Sequence, residues 1–502
     1  MKTKPRCLGE LDPLAYPALS VRDEIRRNLI EKLRRCEQLF PGIVGFDDTV
    51  VPQVVNALLA RHDIIFLGLR GQAKTRLCRL LTGFLDEETP AISGSPLQEH
   101  PLCPITTESR ERARIEGLDL PIEWIPRDAR YGEKLATPDV TMADLIGDLD
   151  PLKAARERLD LSSERVIHFG IIPRMNRGIF AVNELPDLAP RIQVGLLNLL
   201  EERDVQIRGF PVRFPIDILL VFTANPEDYT NRGSIITPLK DRIASQILTH
   251  YPRTLENARA ISQGDAWCDR GNTIPRVEVP DLISEILEEI AFRGRESEYV
   301  DQKSGVSARL PIAAREILVS QVERRLIHEP GAAPVPRIVD LIHVAPAITG
   351  KLELVYEGEQ EGAVKVTRHL IGMACRTVFD RYFPDAMREG AEQRTRHGPK
   401  SKPELKLKSD CYKPILDWFS TGNKCELCDT MSDTDYCRSL EAVPGLAAVV
   451  AKYLGVESKT HRALWMELVL EGLHQHSLVA KEDAATGASY SDMLGVMLEG
   501  LK

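Results

Sequence analysis

The stretch Gly68-Leu69-Arg70-Gly71-Gln72-Ala73-Lys74-Thr75 follows directly on the apolar run Ile64-Ile65-Phe66-Leu67, and the succession has the parts of a phosphate-binding loop. Such a loop needs a buried strand to hold it and glycines that let backbone N–H groups approach phosphate oxygens. It also needs a lysine for the β/γ charge and a hydroxyl for Mg²⁺. Gly68 and Gly71 supply the close approach, Gln72 and Ala73 complete the turn, Lys74 brings the charge and Thr75 the hydroxyl, with Arg76 next in line. Ala73 stands where the usual pattern has its last glycine, and alanine resists a positive φ. An ordinary glycine turn between a strand and a helix is the competing account of these residues.

Further chemistry gathers downstream. The apolar run Gly178 to Val182 ends in Asn183-Glu184. At the end of a strand beside the loop strand, one carboxylate can hold a Mg²⁺-bound water while the next polarises the attacking water. Here only Glu184 is an acid, so Mg²⁺ would be held by Thr75 and the neutral oxygen of Asn183. The alternative is that Glu184 merely caps the helix after Pro186. A third apolar run, Ile218 to Phe222, ends in Thr223-Ala224-Asn225, whose amide is able to reach a γ-phosphate and a lytic water. Arg242 and Arg309 then follow in order, and guanidinium groups so placed act as phosphate sensors. Any one of these arginines taken singly is equally accounted for by a surface ion pair.

The elements that must position these groups alternate. A strand at Ile64 to Leu67 leads into a helix over Thr75 to Phe84, whose N-terminus points its dipole at the loop. Helices are expected at Val21 to Leu39, Asp48 to Ala60, Asp139 to Ile146, Pro151 to Leu159 and Ala189 to Glu202, and strands at Gly178 to Val182 and Asp217 to Thr223. Strands alternating with helices imply an α/β fold with a parallel sheet. Beyond Pro252 the pattern is helical, at Thr254 to Gly264, Asp281 to Phe292 and Pro311 to His328, without strong strand signals, and helices follow at Arg337 to Ala347, at Gly362 to Tyr382 and again over Ala442 to Lys502. The expected organisation is an N-terminal helical extension over 1–37 and a nucleotide-binding core over 38–252 with insertions at about 85–170. A helical lid over 253–330 and a helical region over 331–502 complete it.

The ordered series of motifs resembles the AAA+ ATPases, in the branch of magnesium-chelatase I subunits and MoxR-type proteins. In that branch alanine commonly precedes the loop lysine, so Ala73 fits it. The stretch His168 to Phe180 resembles the family segment that feeds the second acidic motif. Ala136 to Asp150 resembles the segment bearing an inserted hairpin and helix, and Leu196 to Arg208 resembles the helix and arginine-ending hairpin that follow. The resemblance covers roughly residues 38–330. It implies an AAA+ P-loop core with a parallel sheet, an all-α lid and a helical C-terminal region. By the same resemblance Asn225 is the first sensor, Arg242 an arginine finger acting on a neighbouring subunit, Arg309 the second sensor, and ATP with Mg²⁺ the cofactor set. A hexameric ring is implied, with a von Willebrand A domain protein as partner and either metal insertion into a tetrapyrrole or client remodelling as the work. Asn183 departs from the family's aspartate, which leaves room for a slowly hydrolysing, ATP-gated assembly switch. A sigma-54-interacting transcription regulator shares the core, but the Gly-Ala-Phe-Thr-Gly-Ala loop and the DNA-binding helix-turn-helix of that group are not found in the sequence.

The 502 residues are 43% hydrophobic and 28% charged, with net charge -9 and no run approaching the length of a membrane span. No specific nucleic-acid binding is expected at that charge. The N-terminal Met1 to Cys7 leads into acids and a glycine rather than an apolar core, so a cytoplasmic protein without signal peptide is expected. Ten cysteines scattered through such a chain read as core residues or ligands. Cys411, Cys425, Cys428 and Cys437 include a Cys-x2-Cys pair that would suit zinc, against a reading as buried or incidental thiols. The acidic run Lys351 to Gly362 reads as a solvated turn, and the basic stretch Met387 to Lys408 as an exposed linker.

Overall fold

The computed structural model describes residues 4–13, 15–160, 163–207, 213–226, 234–271, 274–329, 331–386, 411–456, 458–484 and 486–493. The basic stretch at 387–408 and Arg208 lie outside these residues. The chain divides into two compact units, Met1–Tyr251 and Pro252–Lys502.

In the first unit, strands β1 (Ile64–Leu67), β2 (Tyr131–Leu135), β3 (Gly178–Asn183), β4 (Ile218–Ala224) and β5 (Ser245–Leu248) form one sheet in the order β5-β1-β4-β3-β2. Every neighbouring pair is parallel, as expected of an AAA+ P-loop core. The register sets Leu67 beside Ala224 and Leu248, and Leu135 beside Asn183. The segments that leave β1, β3 and β4 therefore start side by side from one edge of the sheet.

Alternation along the strands splits the core into two layers. Ile64, Phe66, Leu219, Val221, Ile179 and Ala181 face a layer built by helices α1 (Val21–Arg34), α2 (Val50–Leu59) and α3 (Lys74–Leu80). Ile65, Leu67, Phe180, Val182, Leu220 and Phe222 face the other layer. Strands buried on both faces read as the unbroken apolar runs that make β1, β3 and β4 visible in the sequence. α1 starts at Ser20, whose hydroxyl accepts the Asp23 N–H at 3.2 Å, and it buries Val21, Ile25 and Leu29 at helical spacing. Glu24 on α1 forms a buried bidentate pair with Arg130 at 2.6 and 2.7 Å, so this N-terminal helix belongs to the core it was expected only to precede.

Several expected helices are shorter than their patterns. Met142–Leu145 replaces 139–146, and Pro190–Gly195 with Leu197–Glu201 replaces the single helix over 189–202. The 85–170 segment carries antiparallel strand pairs, Glu88–Ile92 with Ile122–Pro126 and Gly147–Leu149 with Ile167–Phe169, each with a helix between its strands. A short helix α4 (Thr237–Arg242) precedes β5.

The second unit is built on helices α5 (Asp281–Glu296), α6 (Arg309–His328), α7 (Ala363–Tyr382) and α8 (Lys459–Gln475). A single apolar cluster runs from Leu282 to Tyr490, so the expected lid helices and the region after them share one core. The helical region over 331–502 also holds a small sheet. Strands β6 (Cys425–Cys428), β7 (Ala480–Asp483) and β8 (Gly487–Ser491) form an antiparallel sheet in the order β6-β8-β7. They are four or five residues long and half polar, too short to stand out by alternation against the helical pattern around them. Among the described residues no helix is long and apolar enough to cross a membrane.

Candidate functional site

The loop after β1 begins inside the sheet. Gly68 N–H donates to Ala224 O at 3.2 Å, and Thr249 N–H to Leu67 O at 2.8 Å, which extends the ladder on both sides of β1. A Cβ on Gly68 would overlap the Thr249 hydroxyl and the Gln72 side-chain oxygen and displace both. Thr249 Oγ1 donates to Gln72 Oε1 at 2.8 Å, and Tyr251 OH to Arg70 O at 2.8 Å, which closes the loop onto the segment after β5. Gly71 has φ 74°. Ala73 has φ 56° and ψ 15°, so alanine holds the left-handed conformation that glycine would take at this position.

Lys74, the first residue of α3, is buried, and its ammonium meets three oxygens. These are Gly68 O, Leu69 O at 3.0 Å and Asn225 Oδ1 at 2.6 Å. The Asn225 amide turns its Nδ2 to Glu184 Oε2 at 2.9 Å. Only this orientation presents the carbonyl to a cation and the NH₂ to a carboxylate. The lysine, the amide and the acid, which leave β1, β4 and β3 respectively, thus form one bonded chain across the sheet edge.

Asn183 and Glu184 are tied to β4 by a residue that the sequence reading passed over. Glu184 N–H donates to Thr223 Oγ1 at 3.1 Å, and the Thr223 hydroxyl donates to Asn183 Oδ1 at 3.3 Å. Glu184 itself has φ 56°, a left-handed backbone that turns its side chain away from the strand direction. The signal for Thr223 was present. It lies two residues before Asn225, hence on the same face of β4. Glu184 precedes the single turn Leu185–Asp187 without a side-chain capping bond, so the capping alternative has no hydrogen bond to support it.

Thr75 is half-buried beside Lys74, and Arg76 is exposed, with its guanidinium against Gly42. Cys78 is buried in α3, where desolvation pushes its thiol up to about 12 and keeps it neutral. Arg79 Nε donates to Glu133 Oε2 at 3.1 Å, which pins α3 to β2 and holds the Glu133 carboxyl below its ordinary value. Arg242 does not join the bonded chain. Its Nε donates to Glu201 Oε2 at 2.8 Å and its Nη1 to Pro238 O at 3.0 Å, at the exposed end of α4. Arg309 opens α6 in the second unit with an exposed side chain.

The four cysteines do not form the zinc site that their spacing allows. Cys425 and Cys428 lie on β6, where residues an odd number apart point to opposite faces. The Cys425 thiol is buried, where desolvation pushes it up to about 12, and its Sγ donates to Ser439 O. Cys428 Sγ instead meets Thr430 Oγ1 at 3.1 Å. Cys411 is half-buried against the apolar core and Cys437 buried in the helix Asp433–Glu441. Among the described residues no group of three or more His, Cys, Asp or Glu side chains is placed to hold a metal ion.

No family model matches the chain. Hydrogenase transcriptional regulatory protein HoxA of Cupriavidus necator is 24% identical over 200 residues, which are 37% of this chain and 40% of that protein. The chain therefore spans well under two thirds of that relative. Among solved structures, NtrX from Brucella abortus in complex with ADP is similar at 12% identity and TM-score 0.37, covering 63% of this chain and 59% of that one. A model of the complex between the magnesium chelatase subunits BchI and BchD is similar at 20% identity and TM-score 0.33, covering 64% and 98%. A putative ATPase from Cytophaga hutchinsonii is similar at 16% identity and TM-score 0.29, covering 71% and 96%. The fold assignment stands on the strand order and on the motifs at the ends of the strands.

Proposed function

We propose that the first unit binds ATP with Mg²⁺ and hydrolyses it, and that the protein works as an oligomeric AAA+ ATPase. The observation that supports this is the bonded chain Lys74–Asn225–Glu184 at the carboxyl edge of β1, β4 and β3. Its donors and acceptors suit a triphosphate. The Lys74 ammonium would exchange carbonyl partners for β/γ oxygens, the Thr75 hydroxyl and the Asn183 side-chain oxygen would hold the metal, and Asn225 would sense the γ-phosphate. Glu184 would then be released from the amide to polarise water. In this reading Arg242 leaves Glu201 to meet nucleotide on a neighbouring subunit, and Arg309 is the second sensor.

The deciding measurement is phosphate release by the purified chain beside Lys74→Ala. Turnover in the wild type alone supports the motor. ATP-dependent oligomers with release no greater than in Lys74→Ala would replace it with the gated-switch reading. Within the motor reading, Ala73 and the stretches at 136–150 and 168–180 favour the magnesium-chelatase I and MoxR branch, with a von Willebrand A domain protein receiving the work. The similarity to HoxA favours a second client, the transcription machinery. ATP-dependent binding to sigma-54 holoenzyme, tested against a von Willebrand A partner in the same pull-down, separates the two.

A further inference from the structure

The opposite edge of the same sheet carries a second arrangement of charge that the nucleotide site does not use. Asp63, Arg177 and Asp217 each stand one residue before β1, β3 and β4, and α1 crosses beside them. Arg177 and Asp217 border a cavity of about 470 Å³, a size common among small-molecule sites. β4 is seven residues long, so this cavity lies about 20 Å from the phosphate loop at a strand rise of ~3.3 Å per residue.

Four guanidinium groups line it, those of Arg22, Arg61, Arg177 and Arg203, with Asp217 as the carboxylate in the wall. Behind the wall, Asp63 is 2% exposed and faces both Arg22 Nη2 at 2.6 Å and Arg203 Nη1 at 2.7 Å. Arg61 pairs with Asp23 at 3.1 Å. The Arg177 guanidinium is directed to Pro90 O at 2.8 Å and Thr89 Oγ1 at 2.5 Å, which are neutral acceptors. Glu24, close by, is already matched by Arg130. Four cations thus meet three carboxylates, Asp63, Asp23 and Asp217, and Asp217 also accepts the Val21 N–H at 2.6 Å. His100 adds no charge at neutral pH, because burial and Arg177 push it down to about 4.

Two of the cations also have hydrogen-bonding capacity left over. Arg22 Nε is buried without a hydrogen-bond partner, and Arg203 Nη1, although near Asp63, is not aligned to donate to it. A buried N–H without an acceptor is costly, so an anion brought to it is favoured. The rest of the wall is apolar, with Leu19, Ile105, Pro215 and Ile216 facing the charged side. A bare inorganic ion would leave that surface unfilled.

We propose that this cavity binds a small organic carboxylate, with its charge against Arg22 and Arg203 and its apolar body against Leu19, Ile105 and Ile216. The site is distinct from the phosphate loop and does not depend on ATP turnover. The test uses the full chain carrying Lys74→Ala, so that the phosphate loop no longer competes for anions. Saturation-transfer NMR is recorded with benzoate, and with benzamide as its neutral counterpart. Benzoate is expected to bind saturably, with Kd of about 1 mM or tighter, and benzamide at least tenfold more weakly. Adding Arg22→Gln or Arg203→Gln should weaken benzoate at least tenfold. Leu19→Glu, at a residue 36% exposed, should repel benzoate by placing a second carboxylate at the mouth, and it serves if the arginine variants fail to fold. Equal binding of benzoate and benzamide, or undiminished benzoate binding in a folded variant, overturns the proposal.

Discussion

Asn183 is where the chemistry of this chain departs from what the rest of its site prepares. Its Oδ1 accepts the Thr223 hydroxyl at 3.3 Å, a bond that an aspartate would make equally well while adding a charge. Asn183→Asp should therefore fold as the wild type does and hold Mg²⁺ more firmly, and phosphate release is expected to rise about tenfold, or ~1.4 kcal/mol of barrier. No change in rate would mean that the metal is held without this side chain. Glu184→Gln keeps the shape and a side-chain oxygen able to accept from Asn225 Nδ2, but removes the base. Turnover should fall by about 10² to 10⁴ while ATP binding, followed by thermal shift, persists. If turnover survives, Glu184 is not the water-polarising group. These residues were legible because strand ends and loop glycines have fixed chemical demands. Ala73 was legible despite breaking the pattern, and it takes the backbone of the glycine it replaces. Thr223 was not, because a threonine inside an apolar strand reads as β-propensity until its hydroxyl is seen between Asn183 and Glu184.

Elements were legible in proportion to their burial. β1 and β4 are buried at every position and read as unbroken apolar runs, whereas the edge strands β2 and β5 are partly exposed along Tyr-Gly-Glu-Lys-Leu and Ser-Gln-Ile-Leu and left no such trace. The Cys-x2-Cys pair was left between zinc ligands and plain thiols for a related reason, since a metal spacing and a short polar strand differ only in where the side chains point. The buried acids inside α8 were equally invisible, because charged residues are seldom fully buried, whereas α8 is buried at every position from Met466 to Leu473. Glu467 is 1% exposed and accepts the N–H groups of Ile338 and Val339 at 2.8 Å each, along with the Tyr436 hydroxyl. Desolvation outweighs these bonds and pushes its carboxyl from 4.5 up to about 7. The fold therefore favours the protonated acid. Its contribution is full below about pH 4.5 and is lost as pH rises through about 7, a change of ~3 kcal/mol. Glu467→Gln cannot titrate. Denaturant unfolding of wild type and variant should give a stability difference that shifts between pH 5 and pH 7.5, with the wild type losing ground at the higher pH. A difference that is the same at both pH values would show that Glu467 is already ionised in the fold.

At the scale of the whole molecule, the first unit holds every group of the proposed ATP site except Arg309. Arg309 belongs to the second unit, and Arg242, on α4, is held by Glu201 and Pro238 of its own chain. An exposed ion pair of this kind contributes little and is readily exchanged, so the pairing does not prevent Arg242 from serving a neighbouring subunit. Whether it does so is open to a test that uses the geometry of a ring. In a ring each ATP site takes Lys74 and Glu184 from one subunit and Arg242 from the next, so the contact between subunits is head-to-tail. Arg242→Ala and Glu184→Gln should each be inactive alone. When the two are mixed in equal amounts and allowed to reassemble, a subunit with intact Glu184 meets a neighbour with intact Arg242 at about a quarter of the interfaces, the product of two random halves. Phosphate release should recover to about that fraction of wild type. If Arg242 acted on nucleotide bound to its own chain, every site in the mixture would still lack one group, and mixing would restore nothing.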